Sequence, residues 1–112
     1  MDDRDRALLE SAAASARIAI SHMRSGGPRW REDLKTVDAV SKRIEEVGET
    51  LSKVSRGVRA ATPTIAWRLA VGMRTHLAHD YINVDLDLVQ VTVESDLPEL
   101  IAAIEDVLAS GS

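Results

Sequence analysis

One stretch constrains the fold more than any other. Val37, Val40, Ile44, Val47, Leu51, Val54 and Val58 follow one another at alternating spacings of three and four residues. That spacing keeps all seven on one face of an α-helix. The regular seam predicts a helix over residues 37–58 whose buried side packs against neighbouring helices or a second chain. Gly48 lies beside the seam, where the missing side chain would let another helix approach closely. Glu45, Glu46 and Glu49 fall off the stripe, either solvated or with one of them facing a neighbouring arginine.

The same arithmetic organises the rest of the chain. Leu9, Ala12, Ala16, Ile20 and Met23 make an apolar face on a first helix over residues 3–24. The segment S-A-A-A-S-A within it suits close helix contact, and S-G-G-P at 25–28 should stop it. Trp30 and Leu34 should anchor a short turn in R-W-R-E-D-L-K. T-P-T at 62–64 precedes a third helix starting between Pro63 and Ala66. Its buried side should be Ile65, Leu69 and Met73 or Gly72, and it should end near His79 or Asp80. Asp85 can cap a fourth helix that contributes Leu86, Leu88, Val89 and Val93. D-L-P-E at 96–99 then reads as a fresh helix start, with Asp96 as cap, Pro98 in the first turn and Glu99 closing a capping box. Leu100, Ile101, Ile104 and Leu108 form its apolar face, and residues 110–112 a frayed tail.

The core has few aromatic residues to draw on. Aromatics are 3% of the 112 residues and phenylalanine is absent, so Ala, Leu, Ile and Val must fill it. That favours closely packed helices over a β-sandwich. The expected architecture is all-α, an antiparallel bundle of four to five helices in a single domain over residues 1–112. There is no cysteine, which excludes disulfide and thiolate chemistry. No apolar run approaches the ~20 residues of a membrane span. The charged start M-D-D-R-D-R lacks a signal peptide's apolar stretch, so a cytoplasmic location is expected.

Charge is unevenly distributed. All 14 Lys and Arg lie within residues 1–74 beside 10 acids, while residues 75–112 hold 8 acids and no Lys or Arg. The net charge of −4 argues against loose, charge-driven nucleic-acid binding. Oppositely charged helices could attract within the fold or across a dimer, or the basic part could present a local surface to a polyanion.

The chemistry concentrates in R-T-H-L-A-H-D-Y-I-N-V-D, residues 74–85. His76 and His79 are three apart and could share a metal with Asp80 or Asp85, although zinc sites usually offer more ligands. A histidine at a helix end can also cap carbonyls. A third reading is phosphoryl chemistry. Histidine titrates near neutral pH and can move a proton to or from a ribose oxygen. Arginine matches phosphate oxygens with a two-pronged donor, and tyrosine can bond a phosphate or stack on a base. Arg74 and His79, five apart, diverge by about 140° on a continuous helix. They converge only at a bent helix end or where two chains complete one site.

The stretch M-R-T-H-L-A-H-D-Y-I-N-V-D resembles the signature of HEPN-domain proteins of the HepT type, the toxin half of HepT–MntA toxin–antitoxin pairs. The family motif runs Arg-Asn, three variable residues, then His-x-Tyr-x-x-Val-Asp, and Arg74, His79, Tyr81, Val84 and Asp85 match in register. The resemblance extends to the D-R start, D-A-V, I-E-E-V-G-E at 44–49, W-R at 67–68 and D-L-P-E-L at 96–100. It implies a homodimeric helical bundle with both motifs lining one cleft. It also implies a metal-independent endoribonuclease that needs no cofactor. Arg74 would stabilise phosphate charge and His79 would act as general acid or base. A MntA-type nucleotidyltransferase antitoxin would adenylylate Tyr81 and block the cleft with bulk and charge. Thr75 departs from the family's Asn, replacing an amide with one hydroxyl at a substrate-positioning place. A non-catalytic nucleotide- or partner-binding module is the competing reading.

Overall fold

The computed structural model describes residues 1–75 and 85–110. Every regular element among them is helical. The first helix, α1 (Asp3–Gly26), starts where the Asp2 carboxylate accepts the Asp5 N–H at 2.8 Å. It runs two residues past the expected end and stops at Gly27, whose φ of 70° is open to glycine and rare for other residues. A 3-10 turn over Gly27–Glu32 buries Trp30 in the core. Leu34, expected to share that role, is 69% exposed.

The second helix, α2 (Leu34–Ser52), carries the seam, and Val37, Val40, Ile44, Val47 and Leu51 are all buried. It packs along α1, whose buried Ala12, Ala13, Ala16 and Ala19 add little bulk between the two backbones. The seam is not one helix to Val58, however. The chain leaves α2 at Ser52, keeps Val54 buried in the turn, and restarts as α3 (Arg56–Ala61), where Val58 is half-buried. Tertiary bonds enforce the break. The buried Asp5 carboxylate accepts from the Ser55 N–H at 2.9 Å and its hydroxyl at 2.7 Å. These bonds hold Ser55 extended at the start of α3. They also hold the Asp5 carboxyl below the usual carboxylate range, the Ser55 hydroxyl contributing most.

A short helix, α4 (Trp67–Gly72), follows and tightens into a 3-10 turn over Met73–Thr75. Ile65, Ala70 and Met73 face the core, but Leu69 is 51% exposed, against expectation. Ile65 lies outside the helix, so it and Met73 do not follow one helical stripe with Leu69.

Asp85 caps α5 (Leu86–Val91) as expected, its carboxylate accepting from the Leu88 N–H at 3.1 Å. Val89 and Val93 are buried and Leu86 packs against the core, whereas Leu88 is left exposed. The helix does not stop at Asp96. It passes through a π-turn (Thr92–Asp96) straight into α6 (Leu97–Ala109). Asp96 has helical backbone angles and makes no capping bond, so the expected capping box does not form. Pro98 explains the irregularity, because it has no N–H for the carbonyl four residues back and its ring would clash there. The ladder widens instead, and the Leu97 N–H reaches the Thr92 carbonyl five residues back. Leu97, Leu100, Ile104 and Val107 complete the core.

The long α5–α6 rod runs antiparallel to α1. Arg6 near the start of α1 reaches the Leu108 carbonyl, Arg17 pairs with Glu105, and Arg31 beyond the end of α1 pairs with Asp87. Two of these contacts join the basic and acidic parts of the chain by ion pairs, so part of the charge asymmetry is satisfied inside the fold. No helix among the described residues is long and apolar enough to cross a membrane.

Candidate active site

The arginine that opens the motif sits on a turn held from three sides. The first is Gly48. A Cβ built on Gly48 would lie 2.8 Å from the Met73 carbonyl carbon and 2.9 Å from the Arg74 Cα, and closer still to the Arg74 amide nitrogen. Ordinary contact begins at about 3.4 Å. The glycine is therefore where the backbone of Met73 and Arg74 lies against α2, a tighter approach than the helix–helix contact expected of it.

The second side is the end of α2. The Arg59 guanidinium donates to the Val54 carbonyl at 3.2 Å, to Leu51 at 3.3 Å and to Ser52 at 2.5 Å. Carbonyls at and just past the end of α2 lack the full helical set of N–H donors, and a cation suits the negative end of the helix dipole. The same guanidinium lies over the Trp67 ring, 5.6 Å from its centroid. The indole N–H of Trp67 donates to the Thr62 carbonyl at 3.0 Å and the Thr62 hydroxyl at 3.2 Å. Arg59 thus ties α2, α3 and the first residue of α4 together. Sequence reading passed it over, although a basic residue just beyond a helix end is a recognisable signal for carbonyl capping.

The third side is the core itself, into which Met73 inserts with 2% exposure. With Met73 pinned, Arg74 and Thr75 point outward and both are exposed. Arg74 has no ion-pair partner among the described residues, so its guanidinium faces solvent as a free two-pronged donor. The Thr75 hydroxyl is engaged locally, donating to the Gly72 carbonyl at 3.1 Å. That leaves its oxygen as an acceptor only, where the family's Asn could both donate and accept. Of the α2 glutamates, Glu46 pairs with Arg43 at 3.1 Å, on α2 itself.

Arg74 and Thr75 are the two expected site residues within the described structure. His79 and Tyr81 lie outside the described residues, as do His76 and Asp80 of the metal alternative. Asp85, the other possible ligand of that alternative, has its carboxylate on the N-terminus of α5.

Comparison with known proteins bears directly on this arrangement. The family model described as Ribonuclease HepT-like matches residues 13–107. Among curated proteins, one from Thermococcus cleftensis named probable ribonuclease HepT is 35% identical over 68 residues, 61% of this chain and 62% of that protein. Two from Methanocaldococcus jannaschii, named as candidate RNases, are each 31% identical over 70 residues. The match covers 62% of this chain, and 60% and 58% of theirs. The chain thus spans less than two thirds of the length of the curated relatives it matches. No solved structure gives a significant match. A helical fold that exposes Arg74 on a turn packed against α2, and a family model running from α1 into α6, lead to one assignment: this chain belongs to the HepT-like ribonuclease family.

Proposed function

We propose that the protein is a metal-independent endoribonuclease, the toxin of a type VII-like HEPN/nucleotidyltransferase toxin–antitoxin pair. The observation that carries this reading is Arg74: exposed, unpaired among the described residues, and with its backbone held against α2 at Gly48, at the head of the HepT-type motif. A freely mobile surface arginine would offer a phosphate little pre-organisation; one on a clamped turn offers it a positioned two-pronged donor.

In this reading the active unit is a homodimer of single-domain chains, and one cleft receives the motif of each. Leu88 and Val91, three apart on one face of α5, are 41% and 54% exposed and supply apolar surface for a second copy. The substrate is RNA and the setting cytoplasmic. His79 takes the proton from a ribose 2′-hydroxyl, whose oxygen attacks the adjacent phosphorus. The 5′-oxygen leaves with a proton from the partner subunit's His79. Arg74 stabilises the extra negative charge on the non-bridging oxygens as the bonds exchange. Thr75 and Tyr81 contact the substrate. Adenylylation of Tyr81 by a MntA-type nucleotidyltransferase would fill the cleft with bulk and negative charge and silence it. Induced expression tests the reading: wild type arrests growth, while His79→Ala and Arg74→Ala at equal protein levels do not. Equal toxicity of all three would reject the assignment.

One observation favours a second reading. The Thr75 hydroxyl donates to the Gly72 carbonyl rather than outward, so the position that carries Asn in the family offers no donor to a substrate. If that donor is indispensable, the dimer is a non-catalytic nucleotide- or partner-binding module that acts with its nucleotidyltransferase. Thr75→Asn separates the two. It raises RNA cleavage under the second reading and changes it only modestly under the first.

A further inference from the structure

The Trp67-Arg68 pair of the family resemblance is only half accounted for by the clamp. Arg59 covers one face of the Trp67 indole and Thr62 holds its N–H, so the ring is fixed in orientation. The ring packs in part against the core but is only half-buried. With Ala66, Arg68, Leu69 and Gly72 it walls an open depression of about 640 Å³. Arg68 is exposed and has no ion-pair partner among the described residues, whereas Arg17, Arg29, Arg31 and Arg43 are each paired with a carboxylate. Leu69, half-exposed, gives the depression an apolar surface. Arg68 and Arg74 are six residues apart across α4 and its 3-10 extension, roughly 10 Å along the helix.

We propose that Trp67 and Arg68 form a subsite for single-stranded RNA beside the Arg74 turn, with the indole stacking one base and the Arg68 guanidinium holding a phosphate. The inference rests on the ribonuclease reading above and names where the substrate strand runs. An aromatic ring held rigid loses little freedom when a base stacks on it, and a neighbouring unpaired guanidinium neutralises the backbone charge. Charge on the other side of Leu69 gives the direction. A narrower groove that shares Ala66 and Leu69 is lined by Glu99, whose carboxylate repels a polyanion. The strand is therefore confined to the Arg68 side of α4.

The test uses the full chain and a fluorescein-labelled oligouridylate too short to fold, with binding read by anisotropy across a salt series and cleavage read separately. Arg68→Gln, an exposed change that leaves the core alone, should raise Kd about tenfold. It should also flatten the dependence of log Kd on log salt by about 0.7, the share of one phosphate on a single strand. Titration should quench tryptophan fluorescence in wild type and in Trp30→Phe, and not in Trp67→Phe. Unchanged affinity and salt slope in Arg68→Gln, or quenching that survives in Trp67→Phe, would overturn the subsite even if the protein cleaves RNA. Arg68-dependent binding and Trp67-dependent quenching by a wild-type chain that cleaves nothing would uphold the subsite and overturn the nuclease reading.

Discussion

Gly48→Ala puts the structural argument to its most demanding test. Two effects oppose each other. Alanine is a better helix former than glycine by about 1 kcal/mol, and Gly48 lies in the interior of α2. Against that, the new Cβ would sit 2.8–2.9 Å from the backbone at Met73 and Arg74. The Arg74 amide nitrogen would be closer still, and backbone cannot rotate away as a flexible side-chain end can, so the turn must retreat by roughly 1 Å to reach ordinary contact. Overpacking of this kind costs about 1–3 kcal/mol, so the net loss of stability should be near zero to about 2 kcal/mol. The functional loss should be larger. Displacing Arg74 relative to a bound phosphate by up to ~1 Å should reduce kcat by one to two orders of magnitude. Gly57→Ala is the control: it lies in α3, a Cβ there meets nothing within 4 Å, and it should gain about 0.5–1 kcal/mol with no change in turnover. The assay pairs urea denaturation followed by far-ultraviolet circular dichroism with RNA cleavage at saturating substrate. If Gly48→Ala matches Gly57→Ala in both stability and turnover, the clamp does not position Arg74 and the reasoning fails.

The remaining predictions address the other supports of the site. Asp5 has a lowered carboxyl pKa in the fold, so its stabilisation is fully present above the unfolded value near ~3.9 and is lost as pH falls through the folded value. The Tm gap between wild type and Asp5→Asn should therefore be widest at neutral pH and shrink below pH ~4; a constant gap would show that the Ser55 bonds do not depend on the ionised carboxylate. Arg59→Lys keeps the charge but loses the planar fork, and should lower Tm and loosen α4, seen as faster amide exchange at Ala70 and Val71 than in wild type. The Ser41 hydroxyl is buried without a hydrogen-bond partner among the described residues, so Ser41→Ala should be neutral or stabilise by about 1 kcal/mol, and a marked loss in denaturant titration would reveal a partner for it. Co-expression with a neighbouring nucleotidyltransferase should shift the intact mass in steps of AMP, and Tyr81→Phe should abolish the shift.

The helical class and the seam were plain in the sequence because burial repeats with the helix period from Val37 to Leu51. The end of α2 was not. The apolar period continues through Val54 and Val58, and only the long-range bonds from Asp5 to Ser55 and from Arg59 to the last carbonyls show where the helix stops. D-L-P-E has the composition of a helix start, but a continuous helix can absorb a proline by widening one turn, and the burial of Val93 and Leu97 favours continuity. Leu69 misled because Ile65 precedes α4 in an irregular segment, which shifts the phase of the stripe. At the candidate site, the motif singles out Arg74, and Gly48 stands out by its place beside the seam. Their direct contact, 26 positions apart in sequence, follows from tertiary packing that no local pattern encodes. For Arg59 the carbonyl-capping half of its role has a sequence signal, a basic residue beyond a helix end, while its contact with the Trp67 ring depends on the fold.

The central claim is that Arg74 and His79 cleave RNA without a metal. Single-turnover cleavage of a labelled RNA by the purified chain in EDTA, beside His79→Ala and Arg74→Ala of matched fold and Tm, addresses it most directly. Wild type should cleave in EDTA, and each variant should lose at least about a hundredfold. Cleavage that disappears with EDTA, or that persists undiminished in His79→Ala, would contradict it.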